Sequence, residues 1–234
     1  MQLLELFAGT RCVWKIAEKF WYKVISLDID PVHECEITMD ILDFDPGSFP
    51  EICPDKIWAS IDCTTFSFAS GWFYRDKAGN AKNEKAIIGD RILEKTLELL
   101  EHYLLKNSSI KYYIENPRGN MAKQKSLIDF LARTNGIAHL ITYCSYWFDY
   151  RKPTNIFTND LSWKPKDRCW YKTKNWAGNE CNHLSVPRWS NLWICGIGRA
   201  WDKNRSLIPR NLIIDILKCE DMLIETSRIG DSIK

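Results

Sequence analysis

Short apolar runs alternate with amphipathic stretches through the first 150 residues. Apolar runs of four or five residues between polar turns read as buried strands, and the amphipathic stretches between them as helices covering a largely parallel sheet. The pattern predicts strands over residues 3–7, 24–28, 56–60, 112–115 and 138–143, with a further short strand ending near Asp40. Ile88, Ile92, Thr96, Leu99 and Tyr103 recur at three- and four-residue steps, which predicts a helix over 84–105 with one apolar face. A second helix over 123–134 stops at Asn135-Gly136, residue types that accept left-handed backbone. Periodicity is lost from Trp163 to Asn204 and returns over 211–217 as a helix expected to pack back on the main body. The expectation is an α/β fold with a Rossmann-like, doubly wound sheet built from residues 1–158 plus 206–234. Residues 159–205 form a small irregular insertion.

The strand ends carry the chemistry. Phe7-Ala8-Gly9-Thr10 leaves the first strand and opens a helix, a turn where glycine lets backbone N–H groups approach a ligand. The chain lacks G-x-G-x-x-G, which counts against a dinucleotide pyrophosphate. Asp28, followed by Ile29, ends the second strand, where a carboxylate accepts both ribose hydroxyls of an adenosine. Asp40, followed by Ile41, stands within reach of an adenine amino group. Asp62-Cys63-Thr64-Thr65-Phe66-Ser67 emerges from the strand over 56–60, and Glu115-Asn116-Pro117 closes the strand over 112–115. A thiolate and a carboxyl group so placed suit attack on a pyrimidine: sulfur adds at C6, the carboxyl engages N3, and C5 becomes the nucleophile. Singly, each acid is more often a cap or a solvated charge, and most free cysteines are inert core residues. Their order along successive strand ends favours a site.

Composition narrows the class. With 234 residues, 45% of them hydrophobic, the chain has material for one good core and a small appended lobe. No apolar run approaches the roughly 18 residues that span a bilayer, and the N-terminus lacks a signal-peptide pattern, so no membrane partner and a cytoplasmic location are expected. Nine scattered cysteines suit a reducing compartment. Net charge is only +2, but residues 151–210 carry 12 Lys/Arg against 4 Asp/Glu. Six of the eleven tryptophans, beginning with Trp163, lie there too. Basic residues among aromatics suit a phosphate backbone and exposed bases, and equally a small domain with its own tryptophan core. Cys169, Cys181, His183 and Cys195 have the chemistry of zinc ligands without the spacing of a familiar zinc module, so no metal is assigned. Residues 68–82, with Gly71, Gly79, Arg75, Lys77 and Lys82, read as a hinged basic loop that closes over a flipped-out nucleotide, or as a plain surface loop.

Taken in order, these motifs resemble the cytosine-C5 DNA methyltransferase family, especially the compact phage and viral forms. The likeness runs over residues 3–158, with a weaker return near the C-terminus. It implies a class I methyltransferase fold, S-adenosylmethionine as donor, cytosine in double-stranded DNA as substrate, a monomer, and residues 159–205 as the target-recognition region. It also implies Cys63 as nucleophile, with Glu115 and Asn116 as the Glu-Asn pair. Arg151, in Arg151-Lys152-Pro153-Thr154-Asn155-Ile156-Phe157-Thr158, is similar to the family's arginine beside the target base. Phe7, Gly9, Thr10, Asp28, Ile29, Asp40 and Ile41 become the expected cofactor contacts, and Ser67, Arg75 and Lys152 the expected nucleic-acid contacts. Two other readings stay open: the same chemistry on RNA or single strands, and a weakly active or inactive binder of nucleic acid or cofactor.

The chain departs from the family at Asp62, where relatives have proline, and at Asn155, where many show a second arginine. Proline fixes φ near −65°. Aspartate is expected to free that backbone and to set a negative charge beside a sulfur that must itself become negative, slowing attack unless Arg118, Arg151 or Lys152 compensates. Replacing Asp62 with proline is then expected to raise turnover.

Overall fold

The computed structural model describes residues 1–68, 71–148, 151–169 and 207–218. Seven strands, β1 (Gln2–Leu6), β2 (Lys23–Asp28), β3 (Ile37–Thr38), β4 (Lys56–Ser60), β5 (Lys111–Pro117), β6 (Ile137–Thr142) and β7 (Pro153–Thr158), form one sheet. Their order is β3-β2-β1-β4-β5-β7-β6. β7 runs antiparallel between β5 and β6, and the remaining pairings are parallel. This is the expected doubly wound α/β architecture. The chain crosses from β1 outward to β2 and later returns to β4 on β1's other side, so the crevice that receives ligands in such sheets lies at the carboxyl ends of β1 and β4.

Alternation along each strand supplies the two faces. Leu4, Leu6, Leu27, Ile57 and Ile114 pack with Leu93, Leu97, Leu100 and Tyr103 of α3 (Glu84–Lys106) and Leu127 and Phe130 of α4 (Lys125–Arg133). On the opposite face, Leu3, Val24, Trp58, Tyr113 and Ile156 meet Val13 and Ile16 of α1 (Cys12–Ala17) and Leu212, Ile213 and Ile216 of a helix over 210–218. Each buried leucine or isoleucine is worth about 1.5–3 kcal/mol relative to exposure, which is why the helix resuming after the insertion docks here, as its spacing implied. Asn83 starts α3 by accepting from the Ala86 N–H at 3.1 Å. Beyond α4, Asn135 takes the left-handed conformation at φ 53°. Gly136 is needed for a different reason: a Cβ there would collide with the Tyr112 hydroxyl.

Two expectations change. The third strand ends at Thr38, so Asp40 lies in the following turn. Trp163, grouped by sequence with the basic, aromatic insertion, is a core residue: it packs edge-on against Tyr113 at 6.1 Å and donates its indole N–H to Asp215 at 3.1 Å. The five later tryptophans of that segment, and Cys181, His183 and Cys195, lie outside the described residues. No helix among the described residues is long and apolar enough to cross a membrane.

Candidate active site

After β1 the chain turns so tightly that Phe7, Gly9 and Arg11 all take positive φ, at 58°, 49° and 56°. Side chains disfavour that region, so the turn has to be held from outside. The Ala8 N–H donates to Leu27 O at 3.1 Å, and the Gly9 N–H donates to Asp28 Oδ2 at 2.8 Å. Asp28 Oδ1 accepts from Asp30 N at 3.0 Å. Asp28 therefore braces the turn, and each of its oxygens keeps a lone pair for a ribose hydroxyl. Ile29 beside it is 64% exposed, an apolar surface available to an adenine ring. Thr10 is exposed and Phe7 half-buried at the same turn. Asp40 caps its own turn, accepting from Leu42 N at 3.0 Å. The Ile41 side chain, expected at the cofactor, belongs instead to the hydrophobic core with Leu27 and Phe44.

Glu5 escaped the sequence reading because it sits inside the apolar run Leu3-Leu4-Glu5-Leu6, and that misplacement of a charge was the available signal. Buried beneath the turn, it accepts from Trp14 N at 2.8 Å and Val13 N at 3.3 Å, two N–H groups that open α1. Burial pushes its carboxyl from 4.5 up to about 8, while those N–H donors pull the other way. The native protein then holds a proton that the unfolded chain has released, and stability falls as pH rises through the window from 4.5 to about 8. Glu5→Gln is expected to flatten this slope. Between about pH 5 and pH 8.5 the wild-type melting midpoint should drop on the order of 5 °C more than that of the variant; parallel curves would show an ionised Glu5 throughout.

Across the crevice, Ser60 at the end of β4 pairs in register with Glu115 on β5. The Cys63 turn therefore leaves β4 next to the strand that carries Glu115. Asn116, expected to hold the glutamate or the base, has its fully buried amide nitrogen donating to Ile61 O at 2.9 Å, which fixes the strand end that launches Cys63. Asp62 does not free the backbone. Its Oδ1 accepts from the Thr64 N–H at 3.1 Å and from Thr64 Oγ1 at 2.7 Å, an Asx turn that takes over the stiffening role of a proline. The turn closes through Cys63 O, which accepts from Phe66 N at 3.1 Å and Ser67 N at 2.8 Å. Ser67 thus serves the turn through its backbone. The Cys63 thiol itself is half-buried and not in a disulfide.

A cleft beside this turn is lined by Ile61, Asp62, Thr65, Lys85, Ile88 and Ile92, so the cation sharing a cavity with Asp62 is Lys85. Asp62→Asn keeps the Asx acceptor and removes the charge. If the charge is what slows sulfur attack, turnover should rise about three- to tenfold at this exposed position; a fall in turnover would show that the carboxylate has a task of its own.

Arg75, expected on nucleic acid, is folded inward. It is 2% exposed, pairs with Asp90 at 2.8 Å, and donates to the carbonyls of Thr65 at 3.0 Å, Gly79 at 3.1 Å and Ala86 at 3.2 Å. Its guanidinium also lies 4.1 Å from the Phe66 ring. A planar fork of donors meeting three backbone segments makes Arg75 the strut under the cysteine loop. Exposed Trp72 and Phe73 of the short helix α2 (Gly71–Tyr74) and Lys82 remain on the loop's surface.

Glu115, 6% exposed, accepts on Oε1 from the Tyr143 hydroxyl at 2.6 Å, and the same oxygen lies 3.5 Å from Lys152 Nζ. Lys152, expected on nucleic acid, is thus turned into the site. Arg151, expected beside the base, has its Nε donating to Cys169 O at 2.9 Å. Neighbours on an extended segment project to opposite sides, and it is the lysine that faces Glu115. Asn155 lies opposite Asn116 in the β5–β7 ladder.

The strand order and the single antiparallel strand β7 are those of the class I methyltransferase fold. Among solved structures the chain is similar to the Entamoeba histolytica methyltransferase EhMeth, with a TM-score of 0.52 and 11% identity over 71% of this chain and 55% of that one. It is also similar to the S. pombe Dnmt2 methyltransferase, with a TM-score of 0.50 and 15% identity over 72% and 53%. This chain spans about half the length of these neighbours, and at such identities the likeness is one of fold. No family model and no curated protein matches the sequence.

Proposed function

We propose that this protein methylates carbon 5 of cytosine in double-stranded DNA, as a monomer, by flipping the base and adding Cys63 to it. The observation that carries the reading is the register pairing of Ser60 with Glu115, which joins the Cys63 turn to a buried carboxyl group at the crevice where Asp28 braces the first turn. The residues at that turn fit an adenosyl cofactor: a carboxylate with remaining acceptor capacity, an exposed apolar side chain and a glycine with positive φ. S-adenosylmethionine, when bound there, supplies an electrophilic methyl group.

The chain's own residues do the rest. The Cys63 sulfur forms a bond to C6, Glu115 holds the proton at N3 so that the ring does not accumulate negative charge, and electron density moves to C5. After C5 is methylated, loss of its proton and cleavage of the C6–S bond restore the ring and the thiolate. Unstacking the base costs a few kcal/mol, which the pocket and phosphate contacts offset.

Tritium-labelled methyl donor, offered with duplex DNA, single-stranded DNA and RNA in parallel, tests the assignment. Label recovered as 5-methylcytosine from the duplex is expected. Recovery from RNA alone would keep the chemistry and change the substrate, and no transfer to any polymer would overturn the reading.

A further inference from the structure

We propose that Tyr143 is a positioning residue for Glu115, aiming one carboxyl oxygen at the target base; this rests on the cytosine reading of the site. Among the described residues the Glu115 carboxyl is met on Oε1, by the Tyr143 hydroxyl at 2.6 Å and the Lys152 ammonium at 3.5 Å. Oε2 is then the oxygen that meets the pyrimidine. A carboxylate on a three-bond side chain is useful in catalysis only if its orientation is fixed before the substrate arrives.

Tyr143 is built to fix it. Its side chain is 0% exposed and directly follows β6, its backbone N–H donates to Lys152 O at 3.1 Å, and its carbonyl accepts from Phe148 N at 3.3 Å. The ring is held edge-on by Phe148 at 5.6 Å and lies 4.6 Å from Lys152 Nζ. Tyrosine and lysine are therefore locked to each other as well as to the glutamate. A buried phenol in a packed, hydrogen-bonded frame has little freedom, and whatever it binds inherits that rigidity. The arrangement also accounts for a site in which Arg151 is drawn off to Cys169: orientation of the carboxyl comes from a neutral phenol supported by a lysine.

Tyr143→Phe removes one oxygen and keeps the ring, its Phe148 contact and its Lys152 contact, so folding is expected to survive. Single-turnover methyl transfer should fall about ten- to a hundredfold, the loss expected when a hydrogen bond to a charged group is removed, with KM for the methyl donor within about twofold of wild type. The decisive comparison repeats the substitution in a Glu115→Gln background. There Tyr143→Phe should change the rate less than about twofold, because the group it aims is already gone. An unchanged rate in the single variant, or equal proportional losses in both backgrounds, overturns the assignment while leaving the cytosine reading intact. Absence of wild-type transfer to every polymer overturns that reading and this one with it.

Discussion

Serine in place of Cys63 is expected to lower methyl transfer by at least about 10³-fold while leaving the fold and donor binding close to wild type. The size of the effect follows from the role: a hydroxyl is a far poorer nucleophile than a thiolate, and losing the attacking atom removes the covalent route itself. The fold should tolerate the change because the turn is closed by backbone, with Cys63 O accepting from Phe66 N and Ser67 N, and by the Asp62 carboxylate, none of which involves the sulfur. Label transfer and melting midpoints measured on the same preparation separate the two. Activity within tenfold of wild type would show that the sulfur is not the nucleophile.

The second large effect is expected at Gly119. This residue forms an isolated antiparallel bridge with Ser67, and the next N–H, of Asn120, donates to Phe66 O at 2.6 Å. The cysteine loop is thereby fastened to the corner after β5. A Cβ on Gly119 would collide with the Phe66 carbonyl oxygen and crowd the Phe66 carbonyl carbon and Ser67 Cα at 3.0 Å, all of them backbone atoms with nowhere to swing. Gly119→Ala should therefore cost about 1–3 kcal/mol in urea unfolding. It should also lower transfer by on the order of 100-fold, since displacement of the nucleophile by about 1 Å has that consequence. Loss of stability with a normal rate would show that the docking of the loop does not position Cys63.

What the sequence reveals and what it hides divides along local and non-local physics. The α3 face was legible because Ile92, Thr96, Leu99 and Tyr103 repeat at helical spacing, and β4 because Ile57, Trp58 and Ala59 form an apolar run, which is buried on both faces of the sheet. The places of Asp28 at the end of β2 and of Cys63 just beyond β4 were legible, whereas β5 runs two residues past Glu115, to Pro117. Arg75 was not legible, because its partners Asp90, Gly79 and Ala86 converge only once the loop folds over α3. Nor was it legible that Lys152 approaches Glu115 while Arg151 bonds to Cys169 O, which depends on which of two adjacent side chains faces β5. The Asx turn at Asp62 is a local pattern, Asp-Cys-Thr, and so lies within reach of the sequence. Tyr143 stood at the end of an expected strand, and nothing in its neighbours names Glu115 as the partner of its hydroxyl.

A covalent bond between Cys63 and the target ring can be weighed directly, by intact-mass analysis of the protein with duplex DNA carrying 5-fluorocytosine. Fluorine at C5 blocks the final elimination, so with methyl donor present a denaturation-resistant species is expected at the mass of protein plus DNA strand plus one methyl group, absent from Cys63→Ser. Wild-type protein that methylates cytosine yet forms no such species, or an adduct that persists in Cys63→Ser, would contradict the account.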